Sequence, residues 1–177
     1  ILATVHRREN WDESLNQICE GFRLILSKHK KLKLIIPMHP NKILRDIFQN
    51  ELGSHPRVRL IEPLPYDELV TVLKRCKLVL TDSGGLQEEA PALGKPVLVL
   101  RNNTERTEAL HSGGTRLVGK KPNDIFEGVD KLFSDSEEYK KMSNSVNPYG
   151  DGSASDLIVL ECDRLLKNQK SKIKNKI

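Results

Sequence analysis

The 177 residues carry 29 Lys and Arg against 24 Asp and Glu, but five of those lysines, Lys167, Lys170, Lys172, Lys174 and Lys176, crowd the acid-free last eleven residues. Without them the basic count falls to 24 and the remainder is neutral, which excludes a cationic nucleic-acid surface with interleaved aromatics. The length allows one domain burying about 70% of its unfolded surface without disulfides or metal, and no apolar run approaches the roughly 20 residues of a membrane span.

Short apolar runs at Ile1 to Val5, Leu32 to Ile36, Val58 to Ile61, Leu78 to Thr81, Val97 to Leu100 and Thr115 to Val118 are predicted strands. The opening run has neither a methionine nor a polar lead-in, as expected of a piece of a longer protein. Helical patterns fill the gaps. Asp12 is a predicted N-cap for a helix burying Leu15, Ile18, Cys19, Phe22, Ile25 and Leu26, which recur at three-and-four spacing. Asn41 is predicted to cap a second helix presenting Ile43, Ile47 and Phe48, and Leu69, Val72, Leu73 and Cys76 mark a third. Further helices are expected at Pro122 to Phe133 and Ala154 to Leu166, before a disordered basic tail over residues 167–177. Cys19, Cys76 and Cys162 lie far apart within apolar stretches and read as reduced core thiols of a cytoplasmic protein. The alternation predicts an α/β domain over residues 1–166, a doubly wound parallel sheet with helices on both faces. Ligands of such folds sit beyond the carboxyl ends of the strands, where strand order reverses.

Polar clusters follow the strands at that end. After Leu78 to Thr81 comes Asp82-Ser83-Gly84-Gly85, then a helix containing Glu88 and Glu89. Free amides at the helix start and the absence of side chains at Gly84 and Gly85 suit a phosphate. Glu89 stands about one turn beyond Gly85, where a carboxylate suits vicinal hydroxyls. The plainer alternative makes Ser83 an N-cap and the glutamates dipole-favoured acids. His6-Arg7-Arg8-Glu9-Asn10 follows the first strand and is either an anion-binding, proton-donating loop or a solvated one. His39, between Pro37 and Asn41, is either functional or a packing residue. After Val97 to Leu100, Thr104 is a predicted helix cap and Arg106 falls in the first turn, facing an anion or paired with Glu105 or Glu108.

"HRREN", "TDSGGLQEEAPALGKPVLVLR", "TER" and "NPYGDG" (147–152), in this order and spacing, resemble the carboxyl-terminal half of bacterial non-hydrolysing UDP-N-acetylglucosamine 2-epimerases. The resemblance implies a Rossmann-like domain, one half of a two-domain GT-B-type architecture whose amino-terminal half would be the missing partner. It also implies interconversion of UDP-GlcNAc and UDP-ManNAc by elimination and re-addition of UDP, with no cofactor or metal, in a homodimer. Carried over residue by residue, Ser83, Gly84 and Gly85 would hold the diphosphate, Glu89 the ribose, and Leu64 and Leu69 the uracil. Arg106 would contact substrate, and His6 is the catalytic candidate. Arg7, Glu9 and His39 match positions that bind a second, activating UDP-GlcNAc, and the carbon-acid carboxylates belong to the other domain. Trp11-Asp12, Thr107 and Leu69 depart from the family pattern; Leu69 stands where an aromatic is often found. The donor half of a GT-B glycosyltransferase and a non-catalytic nucleotide-sugar module are the alternatives.

Overall fold

The computed structural model describes residues 1–11 and 13–174, with side chains to Lys167. Asp12, the expected cap of the first helix, lies outside the described residues, as do residues 175–177. Two compact units result, Ile1–Asn147 and Pro148–Ile177.

In the first unit all six predicted strands form: β1 (Leu2–Thr4), β2 (Leu34–Pro37), β3 (Val58–Ile61), β4 (Val79–Thr81), β5 (Val97–Val99) and β6 (Thr115–Leu117). They pair in parallel in the order β3-β2-β1-β4-β5-β6. Strand order reverses between β1 and β4, whose register sets Leu2 opposite Val79 and Thr4 opposite Thr81. This reversal opens the crevice of a doubly wound, Rossmann-like fold.

Because successive strand residues face opposite sides, the central strands β1, β4 and β5 feed two cores. Ala3, Ile36, Leu80 and Leu98 pack with helices α1 (Glu13–Lys28), α2 (Lys42–Leu52) and α6 (Pro122–Ser134). On the other face Leu2, Val79, Val97 and Val99 meet Leu73 of α3 (Tyr66–Arg75) and Leu86 and Ala90 of α4 (Gly84–Ala92). The α1 stripe is buried as its spacing predicts. At Gly21 a β-carbon would lie 3.1 Å from that of Ile125, so glycine lets α1 and α6 approach closely.

Local expectations change at α2 and at the loop after β5. Asn41 does cap α2, its Oδ1 accepting the Ile43 N–H at 2.9 Å, but Ile43 itself is exposed and Ile47 only half-buried. The inward stripe is Leu44, Phe48 and Leu52 at four-residue spacing, which lies one position round the helix from Ile43. The helix after β5 is α5 (Thr107–Ser112), so Arg106 is its N-cap residue and not part of its first turn. Thr104 Oγ1 accepts the Arg106 N–H at 3.1 Å, closing a turn ahead of the helix. A further helix, α7 (Ser136–Ser143), is capped by Asp135, which accepts the Glu137 and Glu138 N–H groups.

In the second unit α8 (Ala154–Lys174) follows a loop in which Gly150 and Gly152 take φ of 91° and 95°. Backbone at those angles favours glycine. Asp151 Oδ1 accepts the Ser153 N–H at 3.0 Å at the start of α8. The helix runs beyond Leu166 to Lys174, into the stretch expected to be a tail. Cys162 is exposed on α8 and Cys76 half-buried, so only Cys19 is the buried core thiol expected of all three; burial pushes Cys19 up to about 12. Among the described residues no helix is long and apolar enough to cross a membrane.

Candidate functional site

The clusters after β1, β4 and β5 meet at the crevice between β1 and β4. Thr4 and Thr81 share a buried hydroxyl hydrogen bond of 2.6 Å at the strand ends. Asp82 follows, with no exposed surface. Its carboxylate accepts the His6 N–H at 3.0 Å, the Arg7 N–H at 2.9 Å and the Asn10 amide at 2.8 Å. The loop after β1 therefore folds into the 3-10 turn Arg8–Asn10 against the end of β4. Trp11 Nε1 closes it by donating to the His6 carbonyl at 3.2 Å.

Ser83 precedes α4 and makes no capping bond with its side chain, so its hydroxyl does not serve the role the plainer sequence reading assigns to it. A β-carbon on Gly84 would stand 3.5 Å from Arg106 Nη2, 3.6 Å from Arg7 Nη2 and 3.3 Å from Glu105 Oε1. The tips of Arg7 and Arg106 thus converge on the glycine turn at a helix start, where free amides add partial positive charge. Next along, a β-carbon on Gly85 would lie 3.6 Å from Glu89 Oε1 and 3.9 Å from Ser83 Oγ. Glu89 sits over the turn as the one-turn spacing predicts. Its Oε2 is buried without a hydrogen-bond partner, and its charge pushes the Tyr66 phenol above its ordinary pKa.

Carboxylates frame the cations. Glu105 Oε1 accepts from Arg7 at 3.0 Å, and its Oε2 accepts from Arg101 at 2.8 Å. Arg101 also donates to Glu9 at 2.8 Å. Arg106 Nε donates to Glu88, so Glu88 is not the unattached surface acid that its place early in α4 predicts. Behind it a chain runs from the Arg106 N–H to Thr104 Oγ1, which donates to the buried Gln87 at 2.6 Å, and Gln87 donates to the Ser83 carbonyl at 3.1 Å. The loop after β5 is thereby tied to the glycine turn that begins α4.

Beside the turn, a cavity of about 250 Å³ is lined by Thr4, His6, His39, Leu64, Leu69 and Ser83, among others. The His6 and His39 rings lie 6.2 Å apart. His39 Nδ1 accepts the Asn41 N–H at 3.2 Å. A larger cavity of about 800 Å³ opens around Ile1, Lys33 and Arg75. It lies at the amino ends of the strands, opposite the end where doubly wound sheets bind ligands, and lacks the converging turn and carboxylate.

A family model for UDP-N-acetylglucosamine 2-epimerase matches residues 1–161. The chain belongs to that family. The UDP-N-acetylglucosamine 2-epimerase of Bacillus subtilis (strain 168) is 44% identical over 161 residues, covering 91% of this chain and 42% of the relative. A crystal structure of the Neisseria meningitidis UDP-GlcNAc 2-epimerase bound to UDP-GlcNAc superposes with a TM-score of 0.87 at 44% identity, covering 94% of this chain and 44% of that one. An S. aureus co-structure with UDP gives 0.89 at 41% identity, covering 94% and 46%. The chain thus spans less than half the length of the relatives it matches.

In this epimerase-family chain the structure brings His6, Arg7, Ser83, Gly84, Gly85, Glu89 and Arg106 to one crevice, with Leu64 and Leu69 beside it. Arg7 reaches Glu105 and Gly84, Glu9 pairs with Arg101, which also binds Glu105, and His39 faces His6. Sequence spacing gave Asp82 and Asn10 no role of their own, offered Glu105 only as a partner for Arg106, and did not single out Arg101. Their only signal was adjacency to the glycine turn, the "HRREN" loop and "TER".

The bond network has an acid-range consequence. Its own backbone N–H, then Arg101, hold the Glu105 carboxyl at about 2, below its ordinary 4.5. A depressed folded-state pKa gives stability that is full above 4.5 and lost as pH falls towards 2. The melting-temperature difference between wild type and Glu105→Gln is therefore expected to shrink across that interval. A difference constant with pH would contradict the assignment.

Proposed function

We propose that this chain is the nucleotide-binding half of a UDP-N-acetylglucosamine 2-epimerase, which interconverts UDP-GlcNAc and UDP-ManNAc. The observation that carries this reading is the convergence of Arg7 and Arg106 on the Gly84-Gly85 turn, with Glu89 alongside, at the point where strand order reverses. A nucleoside diphosphate asks for both features: cations and amides for its phosphates, and a carboxylate for its ribose hydroxyls.

On this reading Ser83, Gly84, Gly85 and Arg106 hold the diphosphate, and Glu89 Oε2, which has no hydrogen-bond partner among the described residues, accepts from the ribose. The uracil occupies the cavity beside Leu64 and Leu69. Anti elimination breaks the bond from the anomeric carbon to UDP and removes the proton at the neighbouring carbon, giving a 2-acetamidoglucal. UDP then adds back with the proton delivered to the other face. Charge develops on the departing diphosphate, where preorganised amides and cations stabilise it most. His6, on the cavity wall, donates a proton or hydrogen bond to that oxygen. Carboxylates that move the carbon-bound proton belong to a second domain of a cytoplasmic homodimer, and Arg7, Glu9 and His39 respond to a second UDP-GlcNAc.

A protein of the relatives' length that contains this chain is expected to form UDP-ManNAc with solvent deuterium at the epimerised carbon. Product without deuterium there would rule out elimination, and sugar transfer without epimerisation would favour a glycosyltransferase. The chain by itself is expected to bind UDP weakly and turn over nothing.

A further inference from the structure

We propose that Asp82 is a positioning residue that locks the His6–Asn10 loop in place at the diphosphate turn. The functional half of this inference rests on the UDP reading above; the structural half stands without it.

Because β1 and β4 are parallel neighbours with Thr4 opposite Thr81, the next residues of both chains emerge together at the strand-order reversal. Asp82 turns its side chain across that gap and is wholly buried there. A buried carboxylate is costly unless donors compensate it. Its closest donors are the His6 N–H, the Arg7 N–H and the Asn10 side-chain amide, at 3.0, 2.9 and 2.8 Å, all from a single loop. The nearest cationic candidate, His6 Nε2, is 3.8 Å from Oδ1.

Charge and loop are therefore mutually dependent. If the loop shifts, the carboxylate is left unsatisfied inside the protein; if the charge is removed, the loop loses its anchor. The same Asn10 amide donates to the Leu100 carbonyl at 3.3 Å, so the anchor spans the ends of β1, β4 and β5. What it holds still is the backbone that aims the His6 ring into the cavity and carries Arg7 Nη2 to Gly84. Asp82 lies directly before Ser83 but has its oxygens directed at the loop, so its role is to place the groups that meet the ligand.

Asp82→Asn keeps the shape but replaces one acceptor oxygen with an NH₂ group that faces backbone donors. Hydrogen exchange of the His6 and Arg7 amides is expected to rise about tenfold or more, as for loss of hydrogen bonds to a charged group, while amides within β1 and β2 keep their protection. UDP affinity, read by calorimetry on the same chain, is expected to fall about tenfold. In the wild type, UDP should also move the NMR resonances of the His6 ring, and at saturating UDP that response should be lost in Asp82→Asn. Wild-type exchange at His6 and Arg7 in a folded Asp82→Asn protein would overturn the proposal, as would an unchanged His6 ring response. Should that variant not fold, Asn10→Ala removes one donor and leaves the carboxylate; exchange at the two amides should rise about threefold, and no rise would overturn it. If the wild type binds no UDP at millimolar ligand, the UDP reading falls and the exchange measurements still decide the role of Asp82.

Discussion

Replacing Gly85 with leucine is expected to lower UDP affinity by about 100-fold, roughly 2.7 kcal/mol, while the protein stays folded. A β-carbon at Gly85 meets nothing closer than 3.6 Å, so the fold itself accepts a side chain there. Leucine is also the better helix former, by close to 1 kcal/mol on propensity scales. Its branches would fill the space over the turn between Ser83 Oγ and Glu89, which the proposed function assigns to the diphosphate and ribose. Gly84 gives a different result: a β-carbon there already stands 3.3 Å from Glu105 and in contact with the tips of Arg106 and Arg7, so the rest of a leucine side chain would displace the cations as well. Calorimetry with UDP and a thermal melt on Gly85→Leu separate the two effects. Unchanged affinity in a folded variant would overturn the close-approach argument.

Phe22→Ala is expected to lower stability by about 3–5 kcal/mol, the range for deleting a buried aromatic ring. Phe22 is 1% exposed and among the largest fully buried side chains, on the α1 face that packs in the core with Ile125 and Val129. Two costs add: the apolar area no longer removed from water, and a cavity that the surrounding helices only partly close. Set against a typical total of about 5–15 kcal/mol, the variant should stand near its unfolding threshold at ordinary temperature. Urea denaturation measures the difference; a loss below about 1 kcal/mol would mean that α1 is not a principal wall of the core.

Much of this was readable along the chain. Each strand announced itself as a short apolar run, and α1 by a stripe of Leu15, Ile18, Phe22 and Ile25 whose spacing can bury only one face. The glycine turn was legible because close backbone approach needs residues without side chains, and Glu89 because one helical turn is a fixed distance. By contrast α7 left no periodic trace: "SEEYKKMS" buries only Met142, so no stripe marks it. Ile43 misled for a related reason. An apolar residue one position off the stripe carries the same local signal as one on it, and only the partner helices decide which points inward.

The site divides the same way. Residue types and their positions after strands determined that cations, a glycine turn and a carboxylate would share one crevice, and approximately where. Which carboxylate meets which cation was decided by the tertiary structure. Asn10 reaches Asp82 across 72 residues, and Arg7 reaches Glu105 across 98. No local spacing encodes such pairs, since they exist only once the parallel sheet brings the ends of β1, β4 and β5 side by side. Glu88 is the plainest case. In the sequence it is an acid favoured by a helix dipole, and in the fold it is the partner of Arg106, because the loop after β5 returns over the start of α4.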